Sequence, residues 1–127
     1  MFKKIFVVCV DGVYVKDGKI LLFKRAVEPF KGCWHVVGGQ VEENESLKYA
    51  IKREFKEETG LEVTVGDIID CRLEVTFDRI KIIVAFEIVS ARGKIRLNSE
   101  NEAYDWFAEV PSNSVYDYMK RYQNYGS

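Results

Sequence analysis

The stretch GQVEENESLKYAIKREFKEETGL, Gly39 to Leu61, gathers Glu45, Arg53, Glu54, Glu57 and Glu58 into one loop and one amphipathic segment. On a helical wheel started at Leu47, at about 100° per residue, Ala50, Ile51 and Phe55 form an apolar stripe. Glu54 and Glu58 fall inside that stripe, each within roughly 20° of Leu47, and Glu57 sits at its edge. An ordinary solvated helix would put these carboxylates on the opposite face. Carboxylates gathered away from bulk water repel one another and are costly to desolvate. A divalent cation relieves both problems. Mg²⁺ is the natural candidate, since a hard ion takes oxygen ligands and keeps waters for a phosphate-bearing substrate. Mn²⁺ suits the same donors and is expected to substitute. The chemistry this predicts is metal-assisted phosphoryl hydrolysis, in which cations held by carboxylates offset developing charge and activate water. The alternative, a charged and solvated helix face, fits the angles poorly.

The same residues resemble the box that defines the Nudix hydrolases: Gly39, five residues, Glu45, seven residues, Arg53-Glu54, apolar Phe55, Lys56, Glu57-Glu58, Thr59, Gly60, apolar Leu61. Every fixed position is filled, which makes the motif far more specific than a lone glycine pattern. The resemblance implies an α/β/α sandwich around a mixed sheet, in the α/β or α+β class. It also implies hydrolysis of a nucleoside diphosphate linked to another moiety. It makes Glu54 and Glu58 metal ligands, gives Glu57 a further ion or metal-bound water, and adds the carbonyl of Gly38. Glu45 and Arg53 would hold the loop against the helix and orient the carboxylates, and Arg53 counts with the catalytic set for that reason. The plainer reading of Arg53 and Glu45 is a surface ion pair.

Other candidates lie outside the box. Arg25 closes a strand before the loop that leads to the box; in the family an arginine near here often meets a substrate phosphate, and a guanidinium fork suits that task. Phe30 and Trp34 flank the box entrance and could stack on a base, although Trp34 alternates with Val36 and could equally be core. His35, the only histidine, points opposite to Trp34 and reads as a satisfied or exposed ring rather than a catalytic one. Many family members place a base on a loop facing the metals, here Asn98–Trp106. Glu100 and Glu102 are the candidates, with Asn101 between them, and Glu102 is placed in the catalytic set. Their bland alternative is a polar surface loop.

Departures from the family narrow the substrate. Val37 stands where a proline commonly precedes the two glycines. Thr76 and Phe77, then Asp78 and Arg79, occupy the positions of the proline and tyrosine markers of ADP-ribose and diadenosine polyphosphate hydrolases. Pro29 and Pro111 are the only prolines, so the proline-rich motif of NADH-cleaving members is absent. Asn101 stands where a mannosyl-hydrolysing branch favours histidine. Elimination favours a nucleoside or deoxynucleoside triphosphate pyrophosphohydrolase, with an ADP-ribose or nucleotide-sugar pyrophosphatase second. A non-catalytic nucleotide sensor is the reading from another class, and lost box residues would favour it.

Several elements must position these groups. Lys4–Val15 reads as a strand, Lys16–Lys19 as a turn and Ile20–Arg25 as the returning strand of a hairpin. Ala26–Gly32 is a loop, and Cys33–Val37 a short strand running into Gly38-Gly39. Ser46–Thr59 is the box helix, with Asn44 or Ser46 as N-cap and Gly60 as the stop. Leu61–Val65, then Ile68–Phe77 and Ile80–Val89, read as strands, with Lys94–Leu97 and Tyr104–Ala108 as shorter ones. Ser112 would cap a last helix, Asn113–Tyr122.

With 127 residues, the chain is expected to form one domain, 1–127, able to bury most of its apolar surface. A net charge of −1 and no basic run give no nucleic-acid footprint. Cys9, Cys33 and Cys71 are an odd set without metal spacing and read as reduced cytoplasmic thiols. The apolar start is too short for a signal peptide and is broken by Asp11, and no stretch approaches a membrane span. A small-molecule nucleotide is therefore the expected partner. A homodimer is compatible with the family resemblance.

Overall fold

The computed structural model describes residues 3–115 and 119–122. Two four-stranded sheets form its centre. In the first, β1 (Ile5–Val13) runs parallel to β7 (Arg79–Arg92) and antiparallel to β5 (Val37–Gln40), while β6 (Glu62–Val75) pairs with the far side of β7. In the second, β3 (Lys19–Arg25) is central and antiparallel to β2 (Val15–Lys16), β4 (Trp34–His35) and β8 (Asn101–Phe107). Parallel and antiparallel pairs together make the mixed sheet that the motif implied.

Alternation along the strands sends apolar side chains to two faces. On β3, Leu21 and Phe23 join Val10, Val84, Phe86 and Ile88 in one core cluster with Ala50, Ile51 and Phe55 of the box helix α1 (Leu47–Thr59). Ile20 and Leu22 turn the other way, joining Val13, Val36 and Ala85 around fully buried Tyr122 of the short helix α2 (Met119–Tyr122). The strands thus lie between helices, as expected for the sandwich. Helix α1 starts where Ser46 Oγ accepts the Tyr49 N–H at 3.1 Å, and it stops at Gly60, whose left-handed φ of 78° lets its N–H reach the Lys56 carbonyl. Of the two N-cap candidates, Ser46 is the cap and Asn44 is not.

Several boundaries differ from the sequence reading. The expected strand Lys4–Val15 breaks at Tyr14, so Ile5–Val13 belongs to one sheet and only Val15–Lys16 forms the hairpin with β3. Leu61–Val65 and Ile68–Phe77 are one strand, β6, with register shifts between Thr64 and Asp70 absorbing the residues that looked like a break. Lys94–Leu97 is not a strand. Of the expected helix Asn113–Tyr122, Met119–Tyr122 is helical, Ser114 instead bridges Trp34, and residues 116–118 lie outside the described ones. No helix among the described residues is long and apolar enough to cross a membrane.

Candidate metal and active site

The site forms where the face of α1 that carries Glu54 and Glu58 meets β5. At position 39 the backbone approaches the Glu54 carboxylate so closely that a Cβ would push it aside. The neighbouring Gly38 faces the other way, and a Cβ on it would overlap Asp11 Oδ1 and come within 2.7 Å of the Val10 carbonyl. Two adjacent glycines therefore serve two faces of one strand.

Arg53 organises the carboxylates. Its Nε and Nη2 donate to Glu45 Oε2 at 3.0 Å and Oε1 at 2.7 Å, a bidentate pair. Nη1 donates to Glu54 Oε1 at 2.8 Å and Glu57 Oε2 at 3.2 Å, and Nη2 also reaches the Gln40 carbonyl at 3.2 Å. Glu45 in turn accepts the Glu42 N–H at 2.7 Å, which closes the loop before α1. The Arg53 hydrogen bonds, followed by the Glu42 N–H, hold the Glu45 carboxyl below its ordinary range. The same bond to Glu45 leads the contacts that keep Arg53 charged.

Glu58 is the deepest of the acids, with 4 % of its surface exposed. Its carboxyl is pushed up to about 10, first by burial, then by the hydrogen bond and charge of Glu54 and by the charge of Glu100, with Asn101 partly opposing. Its Oε2 is buried without a hydrogen-bond partner. An orphaned carboxylate oxygen beside a second carboxylate is the arrangement a hard cation satisfies, so these residues fit a divalent ion. Among the described residues, however, no three acid, imidazole or thiol groups are gathered closely enough to hold an ion as they stand. Glu57 explains this: its side chain is 57 % exposed and drawn to Arg53. Of the expected trio, Glu58 is buried, Glu54 is half-buried against Arg53 and Glu57 stands at the rim, with Arg53 offsetting the repulsion that three converging carboxylates would meet.

The other candidates divide between the two faces. Asn101 is buried and stands opposite Arg25 in the β3–β8 ladder, while His35 stands opposite Phe23. His35 Nε2 donates to Asn101 Oδ1 at 2.8 Å. Burial pulls the imidazole below its ordinary range, Asn101 partly opposes this, and the Arg25 charge adds to it. Arg25 also donates from Nε to the Pro29 carbonyl at 2.6 Å, folding the loop back on the strand end. Phe30, at φ 67° and 43 % exposed, occupies that loop. Trp34 goes elsewhere: its indole packs edge-on against Phe107 at 4.8 Å, within the cluster around Tyr122. It lies on the sheet face away from Glu58, so its expected place in a base-stacking site is corrected to core. Glu102 is also displaced. A register shift between Lys24 and Arg25 leaves it extra in β8, half-exposed and 3.9 Å from Lys24. Glu100, the other candidate of that loop, is the one whose charge reaches Glu58.

Sequence reasoning passed over Asn101 and the groups behind Gly38. In the sequence Asn101 stands only between two acids, and its burial follows from the β3–β8 register, which no local pattern shows. Behind Gly38, Asp11 accepts from Tyr122 Oη at 2.8 Å and pairs with Arg72 at 3.4 Å, while Arg72 also donates to Tyr122 and to Asp70 at 3.3 Å. Burial raises the Asp11 carboxyl, and the Tyr122 and Arg72 contacts oppose that. This network ties α2 to the back of β1 beneath the glycine pair.

A family model described as the NUDIX domain matches residues 5–121. The chain is 34 % identical over 98 residues to a CTP pyrophosphohydrolase of Escherichia coli K12, covering 76 % of this chain and 72 % of that one. It is 57 % identical to an ADP-ribose pyrophosphatase of Methanocaldococcus jannaschii, but over 54 residues that span 42 % of this chain and only 32 % of that protein. The crystal structure of a MutT NUDIX hydrolase from Burkholderia pseudomallei superposes with a TM-score of 0.82 at 26 % identity, covering 93 % of this chain and 95 % of that one.

Proposed function

Because this chain belongs to the Nudix family and is one of its pyrophosphohydrolases, we propose that it hydrolyses a nucleoside or deoxynucleoside triphosphate to a monophosphate and pyrophosphate. The carrying observation is buried Glu58, whose Oε2 has no hydrogen-bond partner, beside half-buried Glu54. Mg²⁺ is the ion we assign to Glu54, Glu58 and the Gly38 carbonyl, with Mn²⁺ as a substitute and Glu57 at the rim. When bound, such an ion offsets phosphoryl charge and makes water a better nucleophile. The chain's own groups then divide the remaining work. Arg53 and Glu45 keep the carboxylates aimed, Arg25 holds a substrate phosphate, and Phe30 stacks on the base. Glu100, rather than Glu102, takes the proton from the attacking water. The domain is taken as 1–127, working in the cytoplasm, where the free thiols of Cys9, Cys33 and Cys71 are at home.

The triphosphate is favoured because the CTP pyrophosphohydrolase likeness runs across 72 % of that relative. The second reading, ADP-ribose or a nucleotide sugar, is supported by the higher identity to the ADP-ribose pyrophosphatase, which covers only 32 % of that relative. The sensor reading is set aside, since the box is complete and the relatives are hydrolases. Assay of a nucleotide panel with Mg²⁺, following both phosphate products, decides between substrates. Release of pyrophosphate from a triphosphate, in preference to any cleavage of ADP-ribose, is expected. The reverse preference would overturn the triphosphate assignment.

A further inference from the structure

We propose that the outer end of the β1–β7–β6 sheet is a docking face for a second copy of this chain. The strand registers define it. Phe6 and Val75 flank Ile80, and in the next row Val8 and Leu73 flank Ile82. These six residues share the face that carries Val10 and Val84, which lie in the core cluster with α1. Helix α1 leaves the two outer rows open. Phe6, Leu73 and Val75 are 64, 63 and 59 % exposed, and Val8, Ile80 and Ile82 are half-buried. A sheet with one solvated face turns its polar residues to water and its apolar ones to a core. Here Glu74, Arg79 and Lys81 take the opposite face, where Glu74 and Lys81 pair at 3.9 Å. The apolar rows are left turned outward.

Size and charge point to a second copy as the occupant. At their degrees of exposure the six side chains show roughly 450 Å² of apolar surface, as large as the patches that mark interaction sites on monomers. Interface cores are about 60 % apolar, so this patch supports an interface of roughly 750 Å² on each copy. That is close to the ~800 Å² per partner of a stable complex. A twofold contact sets each patch against itself, so any charge at its centre meets its own kind. None of the six positions is charged, and the face escapes that repulsion. It also lacks the charged groups by which a foreign partner is selected. Two such sheet ends can stack about 10 Å apart, as the layers of a β-sandwich do. Each then extends the core that α1 begins.

The test is sedimentation velocity on the full chain across a micromolar concentration series, without nucleotide. Wild type, Leu73→Glu, Val75→Glu, Val75→Thr and Val89→Glu are compared, each with its circular dichroism spectrum. Wild type should sediment as two chains. Leu73→Glu and Val75→Glu should fold, because both side chains are largely exposed, and should weaken association by at least roughly tenfold, since each would bury an unpaired charge. Val75→Thr keeps the shape of the side chain and should weaken association less. Val89 is also exposed, but it follows inward-facing Ile88 and so stands on the opposite face; Val89→Glu should leave the dimer intact. Wild type sedimenting as one chain throughout would overturn the inference, whether or not it then bound lipid vesicles or another protein. So would a dimer that folded Leu73→Glu and Val75→Glu leave unchanged, or one lost only in Val89→Glu.

Discussion

Arg53 grips Glu45 with two hydrogen bonds of 3.0 and 2.7 Å from one edge of its guanidinium, and with Nη1 it reaches Glu54 at 2.8 Å. The residue that secures the loop is therefore also the residue that holds the Glu54 carboxylate, to which the cation is assigned in our proposal. A lysine keeps the charge but has no fork to make both contacts. Arg53→Lys should lower kcat by about ten- to a hundredfold with KM little changed, as expected for a group that orients ligands. Steady-state kinetics check this. A change confined to KM would place Arg53 in substrate binding instead.

Glu58 makes stability depend on pH in a direction opposite to most acids. Its folded value is raised to about 10 from an ordinary 4.5. A raised carboxyl contributes stability that is full below the unfolded value and is lost as pH climbs toward the folded one. In chelator, the melting temperature should fall between pH 5 and 10 more steeply in wild type than in Glu58→Gln. Added Mg²⁺ should raise wild-type melting by mass action, more so at higher pH, since the ligand must be deprotonated. Glu58→Gln should lose that response and at least about a hundredfold in kcat. Melting curves across pH, with and without Mg²⁺, test both statements.

The two glycines should fail differently. A methyl at position 39 meets the flexible end of Glu54, whereas one at 38 meets Asp11, fixed by Tyr122 and Arg72, and the Val10 backbone. Gly39→Ala should keep most stability and lose activity. Gly38→Ala should lower the melting temperature first. Paired melting and kcat measurements separate them, and equal melting temperatures would contradict the role given to the network behind β5.

Phe30 and Trp34 test which sheet face reads the base. Phe30→Ala should raise KM more than it lowers kcat, because stacking acts on ground and transition states alike. Trp34→Ala should instead cost stability, about 2 kcal/mol for a half-buried ring against Phe107, with KM unchanged. Denaturant titration beside kinetics distinguishes the two. A KM effect in Trp34→Ala without loss of stability would restore it to the substrate site.

The acids of the β8 loop make the last comparison. Glu100→Gln should lower kcat with little change in KM, and Glu102→Gln should change neither. Full kinetics on both variants decide the matter; a kcat loss in Glu102→Gln alone would reverse the assignment.

What the sequence determined by itself is the part governed by local geometry. Helical spacing placed Glu54 and Glu58 on the core face of α1 and Arg53 within reach of Glu57. The end signals Ser46 and Gly60 bounded the helix, and the chemistry of clustered carboxylates pointed to a cation. These follow from a period and a few neighbouring residues. Strand alternation also set Trp34 and His35 on opposite faces. Which face was the site depended on β3, which pairs on one side with nearby β4 and on the other with β8 from a distant part of the chain. The bulge that turned Asn101 inward and Glu102 outward arises from the register between Lys24, Arg25 and β8, and no local pattern encodes a register. The Asp11–Tyr122 contact behind the glycine pair joins residues 111 positions apart. Tertiary structure decided these points, because a strand pairing sets which side chains meet, and pairing is a property of the assembled sheet.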